Sequence, residues 1–287
     1  MPVPEKTAPV LLVFGQSNAH AHGVPLPPGE RDLPPCRRVF TLPRDPNQAF
    51  SPAPVVWRGY TSAGTNLGED ADDTACMPTY LARMWEERPE LPPLYIIRVS
   101  VGAEGVTEPW MWYPDAPRRL IPGPLGKASI SLFPFSCDVI RRAMDDLRSR
   151  GLNPLVLGLH WLGGEEETGV PPEKLDTLPG IYRRLFRGWR EAAGCPVPVY
   201  LYLIRSAERS AAVGEDPRCI EIINSTFRSL SREDPLVFTV DPRDCPSFDP
   251  TEPLVNGIYS PDGNHLSGET QRWFAERILR EAAALFR

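Results

Sequence analysis

A chain of 287 residues, 41% hydrophobic and 24% charged, carries enough apolar material for one sizeable core and is not of disordered composition. Its net charge of −6, with no basic run, argues against a nucleic-acid partner, and no stretch is apolar for long enough to span a membrane. The six cysteines (Cys36, Cys76, Cys137, Cys195, Cys219, Cys245) stand far apart with neither a CxxC nor a Cys/His spacing, which fits a reduced compartment and argues against structural zinc. Residues 1–6 lack the basic-then-apolar pattern of a secretory signal, so a cytoplasmic location is the default expectation and a processed secreted form the alternative.

The run Val10-Leu11-Leu12-Val13-Phe14 reads as a short strand buried on both faces. Gly15 lets the backbone turn sharply, and Ser17 is the first reactive side chain beyond it. Open α/β sheets bind ligands just past the carboxyl ends of their strands, so Ser17 stands where chemistry is expected. A helix beginning after Gln16 would set its hydroxyl beside free backbone N–H groups able to stabilise an oxyanion. A serine in this position also serves as a helix N-cap, and the segment alone does not choose.

Thirty-five prolines concentrate between Pro25 and Pro54 and between Pro109 and Pro134. Proline lowers the entropy cost of fixing a loop, so residues 24–73 and 103–135 read as long ordered loop insertions in a single domain spanning residues 1–287. Within the first, Arg37 to Leu42 is a short strand. Asp72 and Asp73 are expected to cap a helix over Thr74–Glu87, with Pro78 tolerated near its start. Leu94 to Val101 is a second strong strand, ending at Gly102. A helix follows over Cys137–Arg150, its Val139, Ile140, Ala143, Met144 and Leu147 at helical spacing, and Gly151 stops it.

Leu155 to Leu162 is the third strong strand and leads into Gly163-Gly164-Glu165-Glu166-Glu167. A helix over Leu175–Ala193, a strand over Val197–Ile204, a helix over Pro217–Ser231 and a strand over Leu236–Val240 come next. A loop carrying Asp262-Gly263-Asn264-His265 precedes the last helix, Ser267–Phe286, with Ser267 as N-cap and Glu269 in its first turn. Strands alternating with helices imply a parallel sheet covered by helices on both faces, and no internal repeat is present.

Serine becomes a nucleophile only when a base removes its proton, and histidine is the usual base near neutral pH. His20 and His22 lie close behind Ser17. His160 sits inside an apolar strand and is expected in the core. His265 stands in a Gly/Asn-rich loop with Asp262 three residues upstream, a spacing that lets the carboxylate turn back and fix the imidazole tautomer. Taken singly, an Asp-x-x-His pair is common in polar loops.

Together, Gly15-Gln16-Ser17-Asn18 and Asp262-Gly263-Asn264-His265 resemble the first and last blocks of the SGNH/GDSL hydrolases. The GQSN form is similar to the sialate O-acetylesterase-type carbohydrate esterases. Ser100-Val101-Gly102-Ala103-Glu104-Gly105, with Trp110 downstream, resembles the second block, and Trp161-Leu162-Gly163-Gly164-Glu165 the third. The resemblance implies a three-layer α/β/α sandwich with a mostly parallel, flavodoxin-like sheet. It implies Ser17 as nucleophile, His265 as general base and then acid, and Asp262 as its orienting carboxylate. The oxyanion would be held by the backbone N–H groups of Ser17 and Gly102. No metal or organic cofactor is implied, and the partner is a small-molecule or carbohydrate ester, with neither nucleic acid nor membrane.

The third block departs from the pattern, because Gly163 stands where the family carries a glutamine whose side chain is a further oxyanion donor. Losing one such donor costs roughly a hundredfold or more in rate. The Gly163 N–H, a water or a loop side chain such as Asn66 substitutes, or the enzyme is weakened. A glycine here is also expected to leave extra room near the reaction centre. Trp110-Met111-Trp112-Tyr113 offers flat faces for a sugar or, equally, the core of a lid. Glu165-Glu166-Glu167 reads as a solvated run rather than a cation site. Gln16, Asn66, Trp110 and Glu165 are the candidate substrate contacts. The implied reaction is hydrolysis of a small acyl ester, foremost an O-acetyl group on a carbohydrate. The alternatives are an esterase or thioesterase of a non-sugar acyl substrate and a weakened or inactive carbohydrate-binding homologue.

Overall fold

The computed structural model describes residues 6–20, 24–30, 33–42, 55–61, 74–123, 126–204, 214, 216–249, 251, 257–259 and 265–286. Asn66, Asp72, Asp73, Asp262, Gly263, Asn264 and His22 lie outside these residues, as does the His20 side chain.

Apolar runs become the strands of one seven-stranded sheet. They are β1 (Thr7–Gly15), β2 (Val39–Thr41), β3 (Arg58–Gly59), β4 (Leu94–Ser100), β7 (Asn153–Leu162), β8 (Val199–Tyr202) and β9 (Val237–Val240), ordered β3-β2-β4-β1-β7-β8-β9. All neighbours pair in parallel except the two-residue β3, which runs antiparallel to β2 at the edge. β1 lies in the middle, registered so that Gly15 faces Ser100 of β4 on one side and Leu162 of β7 on the other. Every residue of β1 is buried, as a parallel strand covered on both faces requires.

The helices are α1 (Ser17–His20), α2 (Met77–Glu86), α3 (Leu132–Ser149), α4 (Leu178–Ala193), α5 (Pro217–Glu233) and α6 (Gly268–Leu285). Strand residues alternate between two cores. Val10, Leu12 and Phe14 face one formed with α3, α4 and α5, and Leu11 and Val13 face one formed with α2 and α6. The result is the expected three-layer α/β/α sandwich.

Differences from the sequence expectation sit at element ends and in both loop insertions, the first of which also holds β3. α2 starts at Met77 rather than Thr74, placing Pro78 in its first turn, where a missing N–H costs nothing. α3 begins at Leu132, five residues before Cys137, because Pro134 is likewise absorbed in the first turn. Two 3₁₀ turns, Glu166–Gly169 and Pro172–Thr177, precede α4, which starts at Leu178. Residues 103–135 are not loop throughout, for β5 (Arg119–Gly123) and β6 (Gly126–Ile130) form an antiparallel hairpin apart from the main sheet.

Candidate active site

The end of β1 is stitched to both neighbouring strands. Gln16 N–H donates to the carbonyl of Leu162 (2.8 Å), while the Gly15 carbonyl accepts from Val101 N–H (3.4 Å) and the indole Nε1 of Trp112 (3.2 Å). Gly15 carries φ +141°, and a Cβ there would stand 2.0 Å from the Leu162 carbonyl oxygen. Only glycine fits this approach. Ser17 then opens the single turn α1, two residues past the row in which Gly15, Ser100 and Leu162 are paired. Gly102 lies two residues past that row on β4, and Gly163 one residue past it on β7. The backbone N–H groups of Ser17, Gly102 and Gly163 make no hydrogen bond among the described residues. Three free donors therefore stand at the ends of adjacent strands.

Asn18 links this row to the far end of the chain. Its Oδ1 accepts from Leu266 N–H (2.9 Å), its Nδ2 donates to Glu165 Oε1 (2.7 Å), and its carbonyl accepts from Gln271 Nε2 (3.0 Å). Gln271 in turn accepts from Met77 N–H (3.0 Å), so the starts of α2 and α6 meet at the same point. Ser17 and His265 each adjoin in sequence one partner of the Asn18–Leu266 bond. His265 is 8% exposed. Behind it, Ser267 caps α6 by accepting from Thr270 N–H, as its position before the helix predicts.

The remaining candidates separate. Gln16 is buried, and its Oε1 accepts from the N–H groups of Gly164 (3.0 Å) and Glu165 (3.2 Å). Glu165 is half-buried and committed through Oε1 to Asn18. Trp110 is half-buried, but Trp112 is fully buried and packs on Phe14, Trp161 and Trp189. The aromatic run thus splits between surface and core. His160 lies in the core, its Nδ1 2.8 Å from the Tyr202 hydroxyl and its ring stacked on Tyr200; burial pushes its pKa down to about 3.

Two expectations are corrected. The acidic run is not solvated throughout, because Glu167 is fully buried and its Oε1 accepts from the N–H groups of Val106 (2.6 Å) and Thr107 (3.2 Å). Burial pushes its carboxyl up to about 7. Nor does Gly163 open a pocket among the described residues. A Cβ there would meet Trp161 at 3.2 Å and the Gln16 side chain at 3.3 Å, and the adjoining cavity, bounded by Asn18, Gly163, Glu165 and Leu266, measures about 10 Å³. That is room for one water.

Asn18 and Glu167 were not singled out from the sequence. Asn18 had a signal, its place inside the GQSN block. Glu167 had none, since its partners lie sixty residues upstream. Among the described residues no group of three or more histidine, cysteine, aspartate or glutamate side chains is placed to hold a metal ion.

With this geometry in view, neither the family models nor the curated proteins yield a match to the chain. Solved structures do. A protein of Arabidopsis thaliana superposes with a TM-score of 0.63 at 14% identity, over 97% of this chain and 99% of its own. The chain shares their fold. NanS gives a TM-score of 0.61 at 17% identity, over 97% of this chain and 98% of its own. A carbohydrate acetylesterase from Xanthomonas citri gives 0.50 at 15% identity, over 97% of this chain but 56% of the esterase.

Proposed function

We propose that the protein is a serine ester hydrolase of the SGNH/GDSL type that removes small acyl groups, foremost O-acetyl groups of carbohydrates. The observation that carries this reading is the Asn18–Leu266 hydrogen bond (2.9 Å), which supports it by joining the residue after Ser17 to the residue after His265. The shared fold with a carbohydrate acetylesterase supports the acyl and sugar classes.

In the reaction, His265 takes the Ser17 hydroxyl proton as the oxygen attacks the ester carbonyl carbon. Asp262 orients the imidazole and stabilises its charged form. The resulting oxyanion is received by the backbone N–H groups of Ser17, Gly102 and Gly163, which have no competing partner among the described residues. Collapse of the tetrahedral species breaks the ester C–O bond, and the alcohol leaves with the proton from His265. Water then attacks the acyl-enzyme by the same route, releasing the carboxylic acid and restoring Ser17.

The test is covalent labelling by a fluorophosphonate together with hydrolysis of nitrophenyl acetate, in wild type and Ser17→Ala. Labelling confined to the wild type, and loss of hydrolysis by at least about a thousandfold in the variant, is expected. Undiminished hydrolysis by Ser17→Ala would overturn the mechanism. Comparison of acetyl, butyryl and octanoyl esters separates an acetylesterase, with its short-chain limit, from an esterase or thioesterase of longer acyl groups.

A further inference from the structure

The loop from Val101 to Met111 carries Gly102 but belongs to neither a helix nor a strand of the sheet. An oxyanion donor on such a segment is useful only if the segment is held. One end is held by β1, through Val101 N–H on the Gly15 carbonyl. The other passes over Glu167, which approaches from the 3₁₀ turn after β7. The Glu167 Oε1 receives the N–H groups of both Val106 and Thr107 and lies 3.4 Å from the Thr107 hydroxyl. A Cβ on Gly105 would stand 2.2 Å from that same oxygen, so the glycine is what lets the carboxylate reach the backbone. Glu104 adds a tie within the loop, its Oε2 accepting from Met111 N–H (2.7 Å).

We propose that Glu167 is a positioning residue that clamps the 101–107 loop against the end of β7 and so fixes the Gly102 N–H toward the reacting carbonyl. This rests on the esterase reading above. A fully buried carboxylate is costly to keep in a fold unless its bonds are used. Here the two backbone bonds to other residues, Val106 and Thr107, both go to the segment that carries Gly102. The clamp acts on the transition state rather than on ground-state binding, because a carbonyl oxygen needs the donor most once it becomes an anion.

The experiment compares wild type, Glu167→Gln and Glu167→Ala by nitrophenyl acetate kinetics and by amide hydrogen exchange of residues 101–107. Glutamine keeps an acceptor oxygen for Val106 and Thr107, so its kcat is expected within about threefold of wild type; alanine removes the acceptor, and kcat is expected to fall about tenfold to a hundredfold with KM little changed. Faster exchange in Glu167→Ala is expected at residues 101–107 while β1 and β7 stay protected. If the alanine variant does not fold, Glu167→Asp replaces it, since the shorter stem withdraws the carboxylate from both N–H groups, and the same fall in kcat is expected. An unchanged kcat in a folded alanine or aspartate variant of an active wild type overturns the clamp alone. A wild type inactive on every ester overturns the esterase reading and the clamp with it.

Discussion

Gly15→Ala tests whether the closeness of β1 and β7 is what sets the site. Two effects add. At φ +141° an L-residue is strained by about 1–3 kcal/mol, and the new Cβ would lie 2.0, 2.6 and 3.0 Å from the backbone oxygen, carbon and nitrogen of Leu162. Leu162 is backbone in the middle of the sheet and has no flexible end to give way. Parting the strands adds an overpacking cost of about 1–3 kcal/mol and threatens the Gln16–Leu162 bond, a further ~1 kcal/mol. The sum, about 3–7 kcal/mol, is a large share of a typical stability of about 5–15 kcal/mol. Gly151→Ala is the control, because Gly151 also has positive φ (+73°) but nothing within 4 Å of a Cβ, so only the strain, about 1–2 kcal/mol, applies. Urea unfolding followed by tryptophan fluorescence gives both values from the shift of midpoint at constant slope. Equal losses in the two variants, or a loss under about 1 kcal/mol for Gly15→Ala, would refute the close-approach argument.

Further outcomes concern the buried polar groups. Glu167 holds its proton up to about 7 in the folded protein against 4.5 in the free side chain, with Glu165 and Tyr182 the titratable groups that feel its charge. Between these values the folded state holds an extra proton at Glu167, so this group's contribution to stability is full below pH 4.5 and is lost as pH rises to 7, by about 3 kcal/mol. Thermal melts across this range are expected to show that slope in wild type and lose it in Glu167→Gln; an identical slope in both would count against the burial. Asn18→Ala removes both side-chain bonds, to Leu266 and to Glu165, and is expected to lower kcat by more than tenfold with a folded spectrum. Retention of full kcat would show that Ser17 and His265 need no such tie.

The layered architecture was legible because strands buried on both faces are written as unbroken apolar runs, such as residues 10–14, while the intervening helices carry a 3.6-residue period. The β5–β6 hairpin was not legible. Its strands, Arg-Leu-Ile-Pro-Gly and Gly-Lys-Ala-Ser-Ile, lie apart from the main sheet and carry a proline and glycines that read as loop. At the site, Ser17 and His265 could be named from their neighbours in sequence. Glu167 could not, because a charged residue in an acidic run reads as solvated. The distant N–H groups of Val106 and Thr107 help make its burial tolerable.

The place of β1 has a consequence for how the protein is made. The strand that leads to Ser17 is synthesised before either neighbour, yet it pairs with β4 and with β7, whose last residue is Leu162. At about 5–20 residues per second, its apolar run waits on the order of ten seconds for both partners to leave the ribosome. During that time residues 10–14 are an unpaired edge of the kind that recruits other chains. His265 arrives later still, just ahead of α6. Nascent chains cut short before Leu162 are therefore expected to aggregate or bind chaperones, and the candidate catalytic pair can form only once residue 265 has been made.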